Sequence, residues 1–354
     1  MRAPEEFESA LMRHFKKDRF KNLLFRVAHK SFYLPVDFTE GRAAIFHGYT
    51  GHSGQPAIRH LTDILYEKMN FTVFLIDFPY HGKSNDPKKP SDLGKVSSFL
   101  RWIHTVHVST YQVLKLRSGE GKQPGFFLIG ESAGALGIIR FLQVHPDIQK
   151  YLAGVVILAI PLEVDQNASK WVQKHKRLLE PVFSFLAMFF PNIPVGNLPE
   201  GDKADTLEYH GRVRARTAIE IRNAVFEARR AMGKIKVPIL FIHSDSDGVA
   251  LPEQVEVAFR SVETPEDKKE FIVYRGVPHR VLSYALKDIE RWIEKRNETK
   301  DWVPFQQEGV VNETVKLSSK WVLALKETLM FIPRVLLHWG KSFVDLYERI
   351  VQKK

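Results

Sequence analysis

Short apolar runs alternate along the chain with longer stretches in which apolar positions recur every three or four residues. The short runs are rich in Val, Ile and Phe and are typical of buried strands. They lie at residues 43–46, 72–76, 125–129, 154–159, 237–242 and 270–274. The helical stretches lie at residues 57–69, 96–116, 133–145, 253–261 and 281–295. This alternation predicts an α/β fold with a mostly parallel sheet that is covered by helices on both faces.

The alternation is interrupted by a region with two helical stretches, 168–190 and 215–231, and a Pro- and Gly-rich middle. We interpret it as a cap or lid inserted into the core. The predicted organisation has an N-terminal helical segment (1–19), a core in two parts (20–162 and 235–298), a cap (163–234) and a C-terminal tail (299–354).

Two apolar segments lie outside the core pattern. Residues 181–190 are apolar nearly all round, so this cap helix either packs on the core or meets acyl chains. Its candidate substrate contacts are Phe183, Leu186 and Phe189. The tail carries an apolar face at helical spacing between residues 321 and 350, which predicts an amphipathic helical extension. That face suits docking on the core, pairing with another chain, or a membrane interface.

The chain has 354 residues, no cysteine, and 52 Lys and Arg against 41 Asp and Glu, which gives a net charge of +11. The absence of cysteine excludes disulfides, iron–sulfur clusters, thiolate zinc sites and cysteine nucleophiles. The positive charge is spread along the chain without a nucleic-acid-binding module, so we expect no nucleic-acid partner. A basic surface and an attraction to anionic lipid are both compatible with it. Nothing in the sequence indicates an oligomeric state.

The apolar runs are too short to span a bilayer, and the N-terminus lacks the apolar core of a signal peptide. We therefore expect a cytoplasmic protein that is either soluble or peripheral to a membrane.

The most informative motif is FFLIGESAG at residues 126–134, an apolar strand followed by G-x-S-x-G and a helix that begins with small residues. Gly130 and Gly134 allow a sharp turn and close packing of the helix, which holds Ser132 at the tip with its hydroxyl exposed. Taken alone, the motif is also compatible with a tight turn that carries a solvated serine. In the context of a buried strand and a helix, it predicts a nucleophile.

A serine nucleophile needs a base, and the base needs an acid that orients it. In folds with this motif the chain order is serine, acid, histidine. His279 lies in the loop after the last predicted strand and is the candidate base. The preceding strand opens into HSDSDGV, where Asp245 and Asp247 compete as the acid. His243 is the rival base, but it lies at the strand end beside this loop, and we interpret it as structural.

Attack on an ester creates a negatively charged oxygen, which needs hydrogen-bond donors already in place. The first core strand ends in a Gly-containing loop, His47-Gly48-Tyr49, and the backbone N–H of Tyr49 is one candidate donor. The N–H of Ala133, which follows the nucleophile, is the other. We interpret His47 as a brace for this loop.

Several motifs together resemble the monoacylglycerol lipase and lysophospholipase-like group of α/β-hydrolases, especially its plant and algal members. The resemblance runs from about residue 20 to residue 296 and includes the cap. The matching pieces are HGYTGHSG (47–54), LIDFPYHGKS (75–84), GESAG (130–134), YHGRVRARTAIEI (209–221), HSDSDGVA (243–250) and PEDKKEFIVYRGVPH (265–279).

The resemblance implies an α/β-hydrolase fold and a Ser-Asp-His triad. Ser132 matches the nucleophile of this group, His279 matches the base, and its acid pattern falls on Asp247 and not on Asp245. The amides of Tyr49 and Ala133 match its oxyanion hole. No metal or organic cofactor is implied.

Three positions bear on how far the match extends. Glu131 stands before the nucleophile, where relatives more often carry His or Gln. Gly51 stands where monoacylglycerol lipases carry an acidic residue that contacts the glycerol head group. Asp77 matches a motif at the floor of the site, and we interpret it as a brace for its loop.

We therefore predict a serine esterase or lipase that hydrolyses monoacylglycerol- or lysophospholipid-like esters through an acyl-Ser132 intermediate. The expected partners are a lipid ester substrate and a membrane surface that is contacted through the cap and the C-terminal helix. The alternatives are a lipid acyltransferase with the same triad and a non-catalytic lipid-binding or scaffold protein on a hydrolase fold.

Overall fold

The computed structural model describes residues 30–33, 39–115, 124–163, 187, 189–196, 204–299 and 302–303. The predicted N-terminal segment lies outside these residues, as do most of the tail and much of the first cap helix. The division of the chain into core, cap and tail stays a prediction.

A seven-stranded sheet forms the centre of the described part. Its strands are β1 (Lys30–Tyr33), β2 (Gly41–Phe46), β3 (Phe71–Ile76), β4 (Gly125–Glu131), β5 (Gly154–Leu158), β8 (Ile239–Ser244) and β9 (Lys269–Tyr274). Their order is β1-β3-β2-β4-β5-β8-β9. All neighbours are parallel except β1 and β3, which are antiparallel. Two short strands, β6 (Pro194–Gly196) and β7 (Val213–Arg214), pair separately within the predicted cap.

Six α-helices connect or extend these strands in the described part. They are α1 (Pro56–Asp63), α2 (Phe99–Leu114), α3 (Ala133–Val144), α4 (Ala215–Ala231), α5 (Pro252–Ser261) and α6 (Leu282–Thr299). The start of α2 is fixed by two side chains: the Ser98 hydroxyl accepts the N–H of Leu100, and the Glu220 carboxylate accepts that of Phe99.

The helices cover both faces of the sheet, as the sequence predicts. On one face, Leu61 of α1 and Ile289 and Trp292 of α6 pack against the sheet. On the other face, α2, α3 and α5 pack with the C-terminal half of α4, where Ala224 and Ala228 are buried. Because both faces are covered, the central strands are apolar without alternation. In sheets of this kind ligands bind at the carboxyl ends of the strands, so we expect a site there.

The α/β-hydrolase architecture predicted from the sequence is confirmed, with differences at the edges of the sheet. The antiparallel strand β1 was not predicted, because a stretch of only four residues, KSFY, carries no periodic signal. Strand β9 is only partly buried, contrary to the prediction, because it is the last strand of the sheet. The predicted helix 57–69 is α-helical only to Asp63 and continues as a π-helical turn, Ile64–Lys68.

Within the described residues, no helix is both long and apolar enough to cross a membrane.

Candidate active site

Ser132 occupies a strained turn between β4 and α3. Its backbone angles are φ +53° and ψ −118°, a combination that an L-residue adopts only when its surroundings impose it. The Ser132 N–H donates to the carbonyl of Leu158 on β5, with N and O 2.8 Å apart. The turn therefore places the serine side chain at the carboxyl edge of the sheet.

Ser132, His279 and Asp247 form a continuous chain of side-chain hydrogen bonds. The serine Oγ lies 2.9 Å from Nε2 of His279, and Nδ1 of the same ring lies 2.7 Å from Oδ2 of Asp247. Because an ionised carboxylate only accepts, Nδ1 carries the proton and Nε2 is free to accept from the serine hydroxyl. This tautomer is the one in which the imidazole can serve as a general base.

Asp247 is held in its ionised form. Its side chain is fully buried, which raises its pKa, but the hydrogen bond and charge of His279 act in the opposite direction. The N–H groups of Val249 and Ala250 also donate to Oδ1, at 2.7 and 2.9 Å, and the pKa of Asp247 is lowered. Its charge is thus available to orient the imidazole.

The two rival residues, Asp245 in the same loop and His243 at the end of β8, are placed differently. Asp245 is exposed and accepts from the N–H of Gly276 and the hydroxyl of Ser246, so it braces two loops. His243 is buried, and burial lowers its pKa despite Asp247, whose Oδ2 lies 3.6 Å from Nε2 of His243. His279 is thus the histidine that the structure brings to Ser132.

The loop after β2 packs directly against the serine. A Cβ atom added to Gly48 would lie 3.3 Å from Cβ of Ser132, a tighter contact than most side chains make, so glycine favours this close approach of the loop. Tyr49 follows in this loop, and Ala133 begins α3. In the described part of the chain, neither N–H has a hydrogen-bond acceptor. Both groups can therefore donate to a substrate oxygen, although their role as an oxyanion hole stays a prediction.

His47 and Asp77 stabilise the loops that lie beside Gly48 and Tyr49. Nδ1 of His47 donates to the carbonyl of Gly48 at 2.7 Å, and Nε2 accepts the N–H of Phe78 at 3.0 Å. Asp77 accepts the N–H groups of Ser53 and Lys83. With both His47 nitrogens engaged by the backbone, this ring is structural.

Glu131 places a second carboxyl group beside the histidine loop. Its Oε1 is buried without a hydrogen-bond partner among the described residues, and burial raises its pKa. His279, Arg280 and the N–H of Leu282 act in the opposite direction. This carboxyl group therefore faces the loop of the base.

Of the three predicted substrate contacts, Phe183 and Leu186 lie outside the described residues. The side chain of Phe189 is 60% exposed. The side-chain amide of Gln55 lies over Gly51, in the space that a side chain at position 51 would fill. Position 51 thus projects no acidic side chain, and a neutral amide occupies the space beside it.

No cluster of three or more metal-ligating side chains occurs within the described ranges.

Sequence reasoning missed a group of cap residues beside the site. Glu208 of the predicted cap is buried and pairs with Arg280, the neighbour of His279. The two residues are 72 positions apart, so no local pattern links them. The one available signal was the specificity of the adjacent YHG motif, which begins at Tyr209.

Comparison with known proteins places this chain in a family. The family described as "Serine aminopeptidase, S33" matches residues 39–283, more than half of the chain. A monoglyceride lipase homolog of Monkeypox virus is 26% identical over 285 residues, covering 75% of this chain and 93% of the relative. The monoglyceride lipase of Rattus norvegicus is 25% identical over 277 residues, covering 72% and 83%.

A crystal structure of a monoacylglycerol lipase from Paleococcus ferrophilus has the same fold, with a TM-score of 0.58 and 19% identity. The alignment covers 77% of this chain and 99% of that one. This chain therefore belongs to the serine aminopeptidase S33 family of α/β-hydrolases, in agreement with its resemblance to the monoacylglycerol lipase-like group.

Proposed function

We propose that the protein is a serine esterase that hydrolyses lipid carboxylic esters of the monoacylglycerol or lysophospholipid type. The observation that carries the proposal is the unbroken hydrogen-bond chain from Ser132 through His279 to Asp247. Similarity to a monoglyceride lipase and to a monoglyceride lipase homolog over more than 70% of the chain supports a lipid ester as the substrate.

In the proposed mechanism, Oγ of Ser132 attacks the ester carbonyl carbon while Nε2 of His279 takes the hydroxyl proton. The electron pair of the carbonyl moves to its oxygen, which the N–H groups of Tyr49 and Ala133 stabilise. The ester C–O bond then breaks, and the imidazolium returns the proton to the leaving alcohol.

The resulting acyl-serine is hydrolysed by the reverse use of the same groups. His279 takes a proton from a water molecule, which attacks the acyl carbon, and then protonates Ser132 as the fatty acid leaves. Asp247 stays ionised throughout and stabilises the imidazolium. The scheme needs no metal or organic cofactor.

The test is fatty-acid release from a monoacylglycerol and a lysophosphatidylcholine with the same acyl chain. We expect the wild-type protein to hydrolyse at least one of them, and Ser132→Ala to lower kcat by on the order of 10⁶. Ser246→Ala is the matched control, because it removes a serine whose hydroxyl donates to Asp245 and not to His279. Hydrolysis that survives Ser132→Ala would contradict the proposal.

The proposal includes contact with a membrane surface through the cap. Within residues 189–195 of the predicted cap, four apolar residues are exposed: Phe189, Phe190, Ile193 and Val195. The apolar face predicted for the tail and the net charge of +11 also favour contact with an anionic membrane surface. The cytoplasmic location expected from the sequence stays a prediction.

Liposome flotation tests this contact. We expect wild-type protein to float with anionic vesicles and the exchange Phe190→Asp to reduce the floating fraction, with a further loss after deletion of residues 310–354. Flotation that neither change reduces would overturn the membrane contact and leave the esterase proposal unaffected.

A further inference from the structure

A five-residue segment of the predicted cap, residues 205–209, contacts both loops that flank Ser132. We call this segment the clasp. Oδ2 of Asp205 lies 2.6 Å from Nε2 of His52, and the N–H of Tyr209 donates to the carbonyl of Thr50 at 2.9 Å. Glu208 pairs with Arg280. One short segment thus contacts the loop of the predicted oxyanion donor and the loop of the base.

On the oxyanion side, the clasp holds a tight turn. The N–H of Gly51 donates to the carbonyl of Gly48 at 3.1 Å, which closes a turn with Tyr49 and Thr50 at its centre. The clasp's Tyr209 fixes the carbonyl of Thr50 from outside this turn. Because the turn sets the direction of the Tyr49 N–H, the hydrogen bond from Tyr209 to Thr50 also restrains that direction.

Just after this turn, His52 provides a second anchor to the clasp. Its Nδ1 accepts the N–H of Gly54 at 3.1 Å, so Nε2 carries the proton that it donates to Asp205. The imidazole is buried, and the carboxylate of Asp205 is three-quarters buried. A charge-assisted hydrogen bond of this kind restricts the loop more than a neutral bond would.

On the side of the base, Glu208 is only 3% exposed, and its carboxylate pairs with the guanidinium of Arg280. The same Nη2 of Arg280 lies 3.4 Å from Oγ1 of Thr50, so the guanidinium bridges the clasp and the turn. The side chain of Arg280 is 48% exposed, but the carboxylate that it pairs with is buried. A buried carboxylate that loses its cation is disfavoured, which favours the paired arrangement. Since Arg280 adjoins His279, the pair also restrains the backbone that carries the base.

We propose that Asp205 and Glu208 are positioning residues for the esterase reaction, holding the Tyr49–Thr50 turn and the His279–Arg280 loop in register with Ser132. This inference rests on the proposed function and goes beyond it. It gives the cap a role in the rate of the chemical step, in addition to any role in substrate entry. The clasp acts through the backbone of the turn and of the loop, without touching the reacting atoms.

The test compares Glu208→Gln and Asp205→Asn with the wild-type protein on a short, water-soluble ester, which separates chemistry from lipid binding. Misplacing one oxyanion donor or the base lowers the rate of the chemical step, so we expect each variant to lose about tenfold in kcat with KM within about twofold. The rate constant for fluorophosphonate labelling of Ser132 should fall by the same factor.

The matched control is Glu227→Gln. Glu227 on α4 pairs with Arg140 on α3, so it is also a cap-to-core carboxylate–arginine pair, but it contacts neither loop of the site. We expect its kcat and labelling rate to equal those of the wild-type protein. Melting temperatures of all variants show whether any loss of kcat reflects unfolding, and Asp205→Asn, at the more exposed position, provides the test if Glu208→Gln does not fold.

The outcomes separate this inference from the proposed function. Active wild-type protein with reduced kcat in both clasp variants supports the positioning role. Active wild-type protein whose clasp variants keep full kcat, even with lower melting temperatures, overturns it and leaves the esterase intact. Wild-type protein that neither hydrolyses esters nor labels at Ser132 overturns the proposed function, and the positioning role with it.

Discussion

Two aspartates of one loop, Asp245 and Asp247, have the same chemistry and opposite surroundings. Asp247 is buried, bonded to His279 and supported by two backbone N–H groups. Asp245 is exposed and contacts the backbone of Gly276. From the residues alone both were candidates for the acid, and only the family resemblance favoured Asp247. Burial and orientation, which depend on the whole loop, distinguish them in the structure.

The first prediction at this scale concerns the exchange of each aspartate for asparagine. Asp247→Asn keeps the shape but removes the charge that fixes the tautomer of His279, so we expect kcat to fall by about 10³- to 10⁴-fold. Asp245→Asn should keep kcat within about threefold, since this carboxylate does not contact the base. Steady-state ester hydrolysis measures both, and the reverse ranking would refute the assignment of the acid.

The second prediction at this scale concerns Glu131 and pH. Burial raises the pKa of its carboxyl group above the ordinary value of 4.5, so the folded chain binds more protons than the unfolded chain above that pH. The free energy of unfolding therefore falls as the pH rises from 4.5 through the raised pKa. Glu131→Gln removes this dependence.

We expect the melting temperature of Glu131→Gln, relative to wild type, to be higher at about pH 7 than at about pH 4. The groups that face this carboxyl and oppose the shift are His279, Arg280 and the N–H of Leu282. Glu263→Gln, in an exposed pair with Lys236, is the control for a general charge effect. If the difference in melting temperature between Glu131→Gln and wild type were the same at both pH values, the pKa of Glu131 would not be raised in the folded protein.

At the scale of the element, the position of α3 decides where Ser132 lies. A Cβ atom on Gly134 would lie 2.4 Å from the carbonyl oxygen of Phe46 on β2, so the first turn of the helix contacts the neighbouring strand end directly. Gly137, one turn later, has room: its nearest neighbour would be a side-chain carbon of Val106 at 3.5 Å. Packing therefore requires glycine at position 134, whereas position 137 has room for a methyl group.

At this scale we expect the exchanges Gly134→Ala and Gly137→Ala to affect stability in different ways. Gly134→Ala forces the backbone apart, and we expect it to lower the free energy of unfolding by about 1–3 kcal/mol and to reduce activity. Gly137→Ala fits and adds helix propensity, so it should be neutral or stabilising by about 0.5–1 kcal/mol. Chemical denaturation of both variants provides the comparison, and equal stabilities would contradict the packing described for α3.

The central elements could be predicted from the sequence because both faces of the sheet are covered. Apolar runs such as that of β4 follow directly from that burial, and the strand–helix alternation follows from parallel pairing. Strand β1 could not be predicted, because a four-residue antiparallel edge depends on pairing with β3 and not on its own pattern. The π-helical turn after α1 likewise reflects packing that local periodicity does not encode.

At the scale of the whole molecule, the candidate site comprises four loops at the carboxyl edge of one sheet. Ser132, Asp247 and His279 follow β4, β8 and β9, and Tyr49 follows β2. Their order along the chain could be predicted from the sequence because the fold dictates it. The contacts of the clasp could not be predicted, because Glu208 and Arg280 meet only when cap and core are folded together.

The central claim is that Ser132 is a nucleophile activated by His279. The most direct measurement is covalent labelling of the purified full-length protein by a fluorophosphonate, with the adduct located by peptide mass spectrometry. We predict one adduct, on the peptide that carries Ser132, which is absent in Ser132→Ala and strongly slowed in His279→Ala. Folded wild-type protein that stays unlabelled with and without liposomes, or an adduct on another residue, would contradict this account.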